Sequence, residues 1–218
     1  MCDTAVVMIS WSPNPKRLRA LEVCFQSLKQ ATHYPHILAV VDNGPAEQTQ
    51  WLRQQEIDLH IVNEVNQGIG VSRNQGARAT DTEYLAFVDS DLAFFDGWLG
   101  QCIEALKRYP DQKLIATGRF EPSHGKYFRR PLNEYQLYGR AAGGCLVMRR
   151  ETWKKFGQWP TGRNTGDMWS RRAVRRKYLF IWHPSWRVRH LVPVKSYGTH
   201  QRLVNGKWIR EVSHVHSA

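Results

Sequence analysis

The sequence predicts an α/β protein in which a mostly parallel, doubly wound sheet is flanked by helices. Two observations predict this class. Apolar runs and helix-like segments alternate over the first 118 residues, which is the order expected of repeated βαβ units. Each run is continuously apolar, as expected of strands that are buried on both faces of a sheet. The length of 218 residues fits one such domain.

The first half of the chain supplies strands and helices in turn. The strands are predicted at Ala5–Ile9, Ile37–Val41, Ile57–Val62, Tyr84–Val88 and Leu114–Thr117. The first helix begins with Asn14 as its N-cap and Pro15 at its first position, and the second covers residues 46–54. The third helix ends near Ala79, and Asp96 is expected to cap the fourth.

The regular alternation breaks after residue 120. Residues 121–140 are mixed, polar and aromatic, and predict a long loop or lid. The remaining predicted elements are a strand at 143–148, helices at 151–156 and 166–176, and short strands at 178–182 and 186–191. No regular element is predicted for the polar tail from residue 196 onward.

Charge is unevenly distributed along the chain. The net charge is +12, yet residues 1–150 hold 17 basic and 16 acidic residues, whereas residues 151–218 hold 14 and 3. Six of the nine tryptophans also lie in residues 151–218. A basic, tryptophan-rich region predicts an anionic partner, namely a membrane surface, a phosphorylated substrate or nucleic acid. A basic face that only keeps the protein soluble is the alternative.

Composition also bears on the compartment. No run of about 18 apolar residues is present, so no transmembrane helix is expected. The N-terminus lacks the basic and apolar regions of a signal peptide. The four cysteines form no CxxC pair, which predicts free thiols in a reducing cytoplasm.

Polar residues follow three of the predicted parallel strands. They are Ser10, the pair Asp42-Asn43, and the triplet Asp89-Ser90-Asp91. Ligands of such sheets bind at the carboxyl ends of the strands, so one cleft could gather all three groups. Two carboxylates one residue apart in extended backbone point the same way and suit Mg²⁺ or Mn²⁺ holding substrate phosphates. Aspartates after strands are also plain turn formers, which is the alternative.

An ordered set of motifs resembles the family 2 glycosyltransferases, nucleotide-sugar-dependent enzymes of the GT-A fold. The motifs span roughly residues 5–190. They are Ile9-Ser10, Val40-Val41-Asp42-Asn43-Gly44, Asn66-x-Gly68, Ser72-Arg73-Asn74-x-Gly76-Ala77, Phe87-Val88-Asp89-Ser90-Asp91 and the run from Gly143 to Glu151. Each motif is weak alone, and their order and spacing make the resemblance fairly specific.

The resemblance implies a nucleoside-diphosphate sugar donor and a Mn²⁺ or Mg²⁺ cofactor. Asp42 would bind the nucleotide base beside Ser10, which favours a UDP-sugar, and Asn66, Gly68 and Arg73 would line the base and ribose pocket. Asp89 would face the ribose and the metal, and Asp91 would bind the metal directly. Three neighbouring residues, Asn43, Ser90 and Gly144, complete the predicted nucleotide-sugar site. For Asn66 and the glycines, a simple helix-entry turn is the alternative.

The catalytic base is expected on a later helix. Family members often carry a Glu-Asp pair there, whereas this chain has only Asp167, the one carboxylate between Glu151 and Glu211. The resemblance implies that Asp167 removes the proton of the acceptor hydroxyl in an inverting displacement, and a helix N-cap is its alternative role. The resemblance also implies His190 as a metal or diphosphate ligand, with His183 as its competitor.

The resemblance divides the single predicted domain of residues 1–218 into three parts. Residues 1–118 form the nucleotide-binding half, 119–195 the acceptor-side half, and 196–218 the tail. The acceptor is expected to be a saccharide or a lipid-linked glycan, and the basic region could touch the anionic inner face of the membrane. Four tryptophans could stack on sugar rings, namely Trp159, Trp169, Trp182 and Trp186. At least half of these four are expected to belong to the core instead.

Other functions stay open on the sequence. A basic nucleic-acid-binding protein fits the charge, but no specific nucleic-acid-binding signature is present. A catalytically inactive glycosyltransferase-like module fits the missing second acid beside Asp167. A sugar-phosphate nucleotidyltransferase is disfavoured because the segment after the first strand, Ser10-Trp11-Ser12, is not a glycine-rich basic loop.

Overall fold

A computed structural model describes residues 2–121, 128–138, 143–156, 159, 165–183, 185–192, 199–204 and 207–212. Its centre is a nine-stranded sheet in the order β3-β2-β1-β4-β10-β6-β11-β9-β8. The strands of this sheet are β1 (Thr4–Ser10), β2 (Ile37–Asp42), β3 (Leu59–Val62), β4 (Tyr84–Asp89), β6 (Leu114–Thr117), β8 (Phe128–Leu132), β9 (Tyr135–Tyr138), β10 (Cys145–Arg149) and β11 (Leu179–Trp182). The first four pair in parallel, whereas β10 runs antiparallel to both β4 and β6.

Two smaller sheets and six helices complete the described part of the chain. A three-stranded sheet has the order β5-β12-β7, with β5 at Leu92–Phe94, β7 at Arg119–Glu121 and β12 at Arg187–His190. Strands β13 (Thr199–Val204) and β14 (Lys207–Val212) form a hairpin. The helices are α1 (Pro15–Ala31), α2 (Ala46–Leu52), α3 (Ile69–Ala79), α4 (Trp98–Arg108), α5 (Arg150–Phe156) and α6 (Thr165–Arg175).

The sheet separates two apolar layers, so the fold has helices on both faces. Alternate residues of β1 point to opposite faces, and Val6 and Met8 belong to one layer while Val7 and Ile9 belong to the other. The first layer holds the inner faces of α1 and α4, and the second holds those of α5 and α6. Burial on both sides explains why this strand reads as a continuous apolar run.

The predicted α/β class and the five early strands are confirmed, with boundaries shifted by no more than two residues. The cap of α1 is confirmed too, because Oδ1 of Asn14 accepts a hydrogen bond from the Arg17 amide at 3.0 Å. The predicted cap of α4 is wrong. Gly97, with φ of 75°, holds the N-cap position there in place of Asp96, and no side chain caps the helix.

Two predictions of irregular structure are also wrong where the structure describes the chain. The stretch predicted as a long loop, residues 121–140, starts at the last residue of β7 and contains the β8–β9 hairpin, which adds two strands at the sheet edge. The turn of that hairpin holds Asn133 at φ of 52°, a conformation that asparagine tolerates better than most residues. The tail contains the β13–β14 hairpin, although no element was expected there. Residues 122–127 and 139–140 of the predicted lid, and the predicted helix end at Gly157, lie outside the described residues.

Close packing of α3 against the sheet requires a glycine at position 76. A Cβ atom there would overlap Cγ1 of Val7 and lie 3.3 Å from Cγ2 of Val41. We therefore expect Gly76→Ala to destabilise the protein by about 1–3 kcal/mol in urea unfolding, because overpacking outweighs the gain in helix propensity. Gly100→Ala is the matched control, since its new methyl would lie 3.3 Å from the partly exposed ring of Tyr34. Equal midpoints for the two variants would contradict the packing argument.

Candidate active site at the carboxyl edge of the sheet

Three strand ends meet at one edge of the central sheet. Ser10 is in register with Asp42, and Ile9 is in register with Asp89. The Asn43 amide donates to the carbonyl of Ser10 at 2.9 Å, which continues the β1–β2 ladder past the strand ends. Gly144 joins the same edge because its carbonyl accepts from the Asp89 amide at 2.8 Å. Parallel pairing of β1, β2 and β4, with antiparallel pairing of β10, therefore brings together residues that are up to 134 positions apart in sequence.

A buried ion pair fixes the first carboxylate of the Asp89-Ser90-Asp91 triplet. Nη2 of Arg73 lies 2.8 Å from Oδ1 of Asp89 and donates to the carbonyl of Gly143 at 2.6 Å. The Arg73 guanidinium also sits 4.4 Å from the ring centre of Trp159. Desolvation raises the pKa of Asp89, and the positive charge of Arg73 counteracts only part of that effect.

The Arg73 side chain is only 1% exposed, whereas that of Asp89 is 28% exposed. The pair therefore lies between the core and the cleft. Among the described residues, neither Nε nor Nη1 of Arg73 has a hydrogen-bond partner. Arg73 thus holds spare donors beside the carboxylate, which suits an anionic or oxygen-rich ligand.

The second carboxylate lies between an arginine and a histidine. Oδ2 of Asp91 is 2.8 Å from Nη1 of Arg17, and its Oδ1 is 3.8 Å from Nδ1 of His190. Burial raises the pKa of Asp91, but His190 and Arg17 together outweigh that effect, so the pKa is lowered overall. Asp91 is therefore held as an anion at a position that is still 20% exposed.

Strand pairing explains why His190 lies beside Asp91. Strand β12 pairs with β5, so that His190 is in register with Leu92, and the Leu191 amide donates to the carbonyl of Asp91 at 2.8 Å. The competing histidine lies elsewhere. Nδ1 of His183 is 2.7 Å from Oγ of Ser185, and its ring is 5.8 Å from that of Tyr135. Of the two histidines, the structure brings His190 to the carboxylates.

Asp42 is fully buried and bonded within the protein. Its Oδ1 accepts from the Gly44 amide at 2.9 Å and from the Gln48 carboxamide, and its Oδ2 accepts from the Thr49 hydroxyl at 2.7 Å. Nε2 of Gln48 also donates to Oγ of Ser10 at 2.9 Å. The Gln48 side chain therefore covers both Ser10 and Asp42, and a Cβ atom at position 44 would overlap it.

Sequence reasoning missed Gln48, Thr49 and Arg17. Gln48 and Thr49 could have been predicted from the sequence. Helix α2 begins directly after the Asp42–Pro45 turn, so the first turn of this helix must lie near the end of β2. The contact of Arg17 with Asp91 spans 74 residues and depends on where α1 starts relative to β4, which no local pattern reports.

Asn43 ties the β3–α3 loop to this edge. Its Oδ1 accepts from Asn63 at 2.9 Å and from the Gln67 amide at 3.2 Å, while its Nδ2 donates to Ser72 at 2.8 Å. Within the same loop, Oδ1 of Asn66 accepts from the amide of Gly68 at 2.8 Å. Gly68 enters α3 with φ of 78°, so the turn requires its conformational freedom. Both predicted loop residues, Asn66 and Gly68, are exposed.

The predicted base lies in the first turn of α6. Asp167 follows Thr165 and Gly166 there, and its side chain lies outside the described part of the structure. Two residues further on, Trp169 stacks on Trp159, with ring centres 4.2 Å apart and planes inclined by 19°. Helix α6 is therefore fixed against the residue that covers Arg73.

The side chain of Asn74 holds the backbone of Trp159 through two hydrogen bonds. Its Oδ1 accepts from the Trp159 amide at 2.9 Å, and its Nδ2 donates to the Trp159 carbonyl at 3.1 Å. Asn74 and Arg73 are neighbours on α3, so one turn of this helix holds both the backbone and the ring of Trp159. This continuous set of contacts links the Asp89 carboxylate to the helix that carries Asp167.

The tryptophans of the last third are mostly core. Trp159, Trp169 and Trp186 are each at most 2% exposed, which confirms the expectation that at least half are buried. Trp182 is half-buried. All four cysteines are free thiols, as predicted.

Two further features concern the described residues only. They hold no group of three or more His, Cys, Asp or Glu side chains arranged to bind a metal ion. None of their helices combines the length and apolar character needed to cross a membrane.

Residues 14–180 match the family described as Glycosyl transferase family 2. The chain belongs to this family, which confirms the resemblance drawn from its motifs. A relative from Haemophilus influenzae named "Uncharacterized glycosyltransferase" is 26% identical over 104 residues, which are 47% of this chain and 35% of that protein. The chain spans 22% to 35% of the length of the curated relatives that it matches.

Solved structures confirm the GT-A fold. The chain is similar to GalNAc-T7 with UDP, GalNAc and Mn²⁺, with a TM-score of 0.69 and 14% identity over 89% of this chain and 44% of that one. It is also similar to the mannosyltransferase PcManGT from Pyrobaculum calidifontis in complex with GDP-Man and Mn²⁺. There the TM-score is 0.69 and the identity 15%, over 90% of this chain and 59% of that one.

Proposed function

We propose that the protein transfers a sugar from a nucleoside-diphosphate sugar to an acceptor hydroxyl, in a metal-dependent reaction that inverts the anomeric centre. The convergence of the Asp89–Arg73 pair and the Asp91–His190 pair at the carboxyl edge of the parallel strands carries this proposal. Family membership and the two similar structures, which hold UDP or GDP-Man with Mn²⁺, support it. The resemblance favours a UDP-sugar, because it places the Asp42 carboxylate at the nucleotide base. Gln48, which covers this buried carboxylate, would have to move aside for that contact.

The residues at Asp91 fit a divalent cation. Asp91 offers a carboxylate oxygen and His190 a ring nitrogen only 3.8 Å away, and both side chains are about one-fifth exposed. A carboxylate with a histidine suits Mn²⁺ better than Mg²⁺. Two protein ligands leave coordination positions for substrate phosphate oxygens, as is usual for such ions. When bound there, the ion would neutralise charge on the departing diphosphate.

Protein side chains perform the remaining steps. The oxygen of the acceptor hydroxyl attacks the anomeric carbon from the face opposite the diphosphate, and Asp167 accepts the proton of that hydroxyl. The buried Arg73 keeps Asp89 in place beside the donor substrate. One carboxylate is enough because a single displacement needs no covalent intermediate on the protein, whereas double displacement needs a carboxylate nucleophile as well.

We propose a saccharide or lipid-linked glycan as the acceptor, bound on the side of residues 119–195. The nucleotide would bind to residues 1–118. The free thiols suit a cytoplasmic protein, and the basic last third suits contact with the anionic inner face of a membrane.

A thermal-shift panel of UDP, GDP, dTDP and CDP, each with and without Mn²⁺, tests the proposal. We expect one nucleotide to raise the melting temperature only when Mn²⁺ is present, because a ligand that binds the native state stabilises it. At 100 times the dissociation constant, the gain is about 2.7 kcal/mol. We expect Asp91→Ala to abolish this shift.

Asp96→Ala is the control, because Asp96 is exposed and lies five residues beyond Asp91. A shift that survives in Asp91→Ala would contradict the metal site. The absence of a shift with any nucleotide, together with tight and salt-sensitive RNA binding, would favour a nucleic-acid-binding function.

A further inference from the structure

A second cleft lies at the opposite edge of the central sheet. Its volume is about 730 Å³, within the usual range for small-molecule sites. The turn before β6, the end of β10, helix α5 and the end of α6 line it. Buried Thr152 and Tyr178 belong to its lining.

The strand register separates this cleft from the candidate active site. Arg149, in the cleft, pairs with Tyr84 at the start of β4, whereas Asp89 is the last residue of that strand. Five residue steps of a strand span about 16 Å. A ligand in this cleft would therefore not be the sugar donor bound near Asp91.

Six cationic side chains line the cleft against two acidic ones. The cations are Lys113, Arg149, Lys155, Arg175, Arg176 and Lys177, and the acids are Asp111 and Glu151. So many like charges around one concavity repel one another unless an anion is present.

Three of these cations have structural roles. The Arg149 guanidinium donates to the carbonyls of Leu106 and Tyr109 at the end of α4. Lys155 forms an ion pair with Glu151, and Nη1 of Arg176 donates to the Lys155 carbonyl at 2.7 Å.

The other three are exposed and come from two sides of the cleft. Lys113 precedes β6, while Arg175 and Lys177 end α6 and begin the turn to β11. Arginine can bind phosphate through two parallel hydrogen bonds, and lysine adds a point charge.

We propose that this far-edge cleft binds a ligand through a phosphate or pyrophosphate group. A concave site suits a single phosphate ester, which can enter it, better than a rod-shaped nucleic acid, which would meet only the rim. A soluble phosphate ester and a lipid headgroup share this chemistry. The proposal is independent of the glycosyl transfer reaction, because no residue of the candidate active site lines the cleft.

Calorimetric titration of the full chain with inorganic pyrophosphate tests the proposal. EDTA is included so that no divalent ion can recruit pyrophosphate to Asp91. We expect binding that weakens with salt, survives in Arg17→Gln, which removes an exposed cation beside Asp91, and falls at least tenfold in the double variant Lys113→Glu/Arg175→Glu. A parallel sedimentation assay with phosphatidylglycerol vesicles, against phosphatidylcholine vesicles, identifies a headgroup as the source.

Arg53→Glu/Arg78→Glu is the matched control, since both arginines are exposed and the net charge changes equally. Lys113→Gln/Arg175→Gln repeats the test without adding negative charge, in case the reversed pair fails to fold. The proposal is overturned if the native protein binds neither probe, or if the control pair weakens binding as much as the cleft pair. Loss of pyrophosphate binding in Arg17→Gln would assign the anion to the active site and also overturn the proposal.

Discussion

Asp167→Asn is expected to lower the rate of glycosyl transfer by about 10²–10⁴-fold, the usual contribution of a general base. Asparagine keeps the shape of the side chain but cannot accept the proton of the attacking hydroxyl. No other carboxylate lies between Glu151 and Glu211, so no neighbour in sequence can replace it. The affinity for the nucleotide should stay unchanged, because the predicted nucleotide contacts come from other elements.

Product formation and nucleotide affinity should be measured on the same preparations of Asp167→Asn. Glu151→Gln is the control, because it removes an exposed carboxylate that forms an ion pair with Lys155 on α5. If Asp167→Asn loses nucleotide binding as strongly as transfer, Asp167 is a donor ligand or a helix cap. Unchanged transfer in both variants would leave Asp167 without a catalytic role.

Arg73→Met is expected to produce the largest loss of stability, about 3 kcal/mol in urea unfolding. The substitution leaves the Asp89 carboxylate without its cation and removes the guanidinium from the face of Trp159. We place the value at the low end of the range for broken buried pairs because Asp89 keeps 28% exposure and can be hydrated. Arg78→Met, an exposed position on the same helix, should change stability by less than about 0.5 kcal/mol.

A double-mutant cycle separates the charge effect from the packing effect. If the uncompensated carboxylate causes the loss, Arg73→Met/Asp89→Asn should be more stable than Arg73→Met alone. A double variant that is no more stable than the single one would assign the loss to packing on Trp159. Nucleotide binding by the double variant then reports whether the pair also serves the donor.

The strands and helices of the first half were predictable because their burial is uniform. A strand that is apolar on both faces, such as Val6 to Ile9, leaves a continuous run that no surface element shows. The polar residues after Ile9, Val41 and Val88 then mark the edge where ligands bind. The position of most candidate site residues at one edge follows from this single rule.

Other features depend on pairings that local sequence does not encode. An apolar run does not show whether the strand is parallel or antiparallel to its neighbours. The antiparallel placement of β10 between β4 and β6 therefore could not be inferred. The β8–β9 hairpin lies at the sheet edge, and its side chains from Pro131 to Gln136 are partly or fully exposed, so this segment lacks a continuous apolar pattern. The stacking of Trp159 between Arg73 and Trp169 needs three segments to be placed first.

The contact between Gln48 and Gly44 changes what the Asn43-Gly44-Pro45 motif means. The backbone at position 44 is not in the left-handed region, so the chain reversal does not itself demand glycine there. Glycine is favoured at position 44 because the Gln48 carboxamide occupies the space that a Cβ atom there would need. The two positions therefore share one space. A side chain at position 44 would displace the Gln48 carboxamide or require a shorter residue at position 48, and either change would uncover Ser10 and Asp42 together.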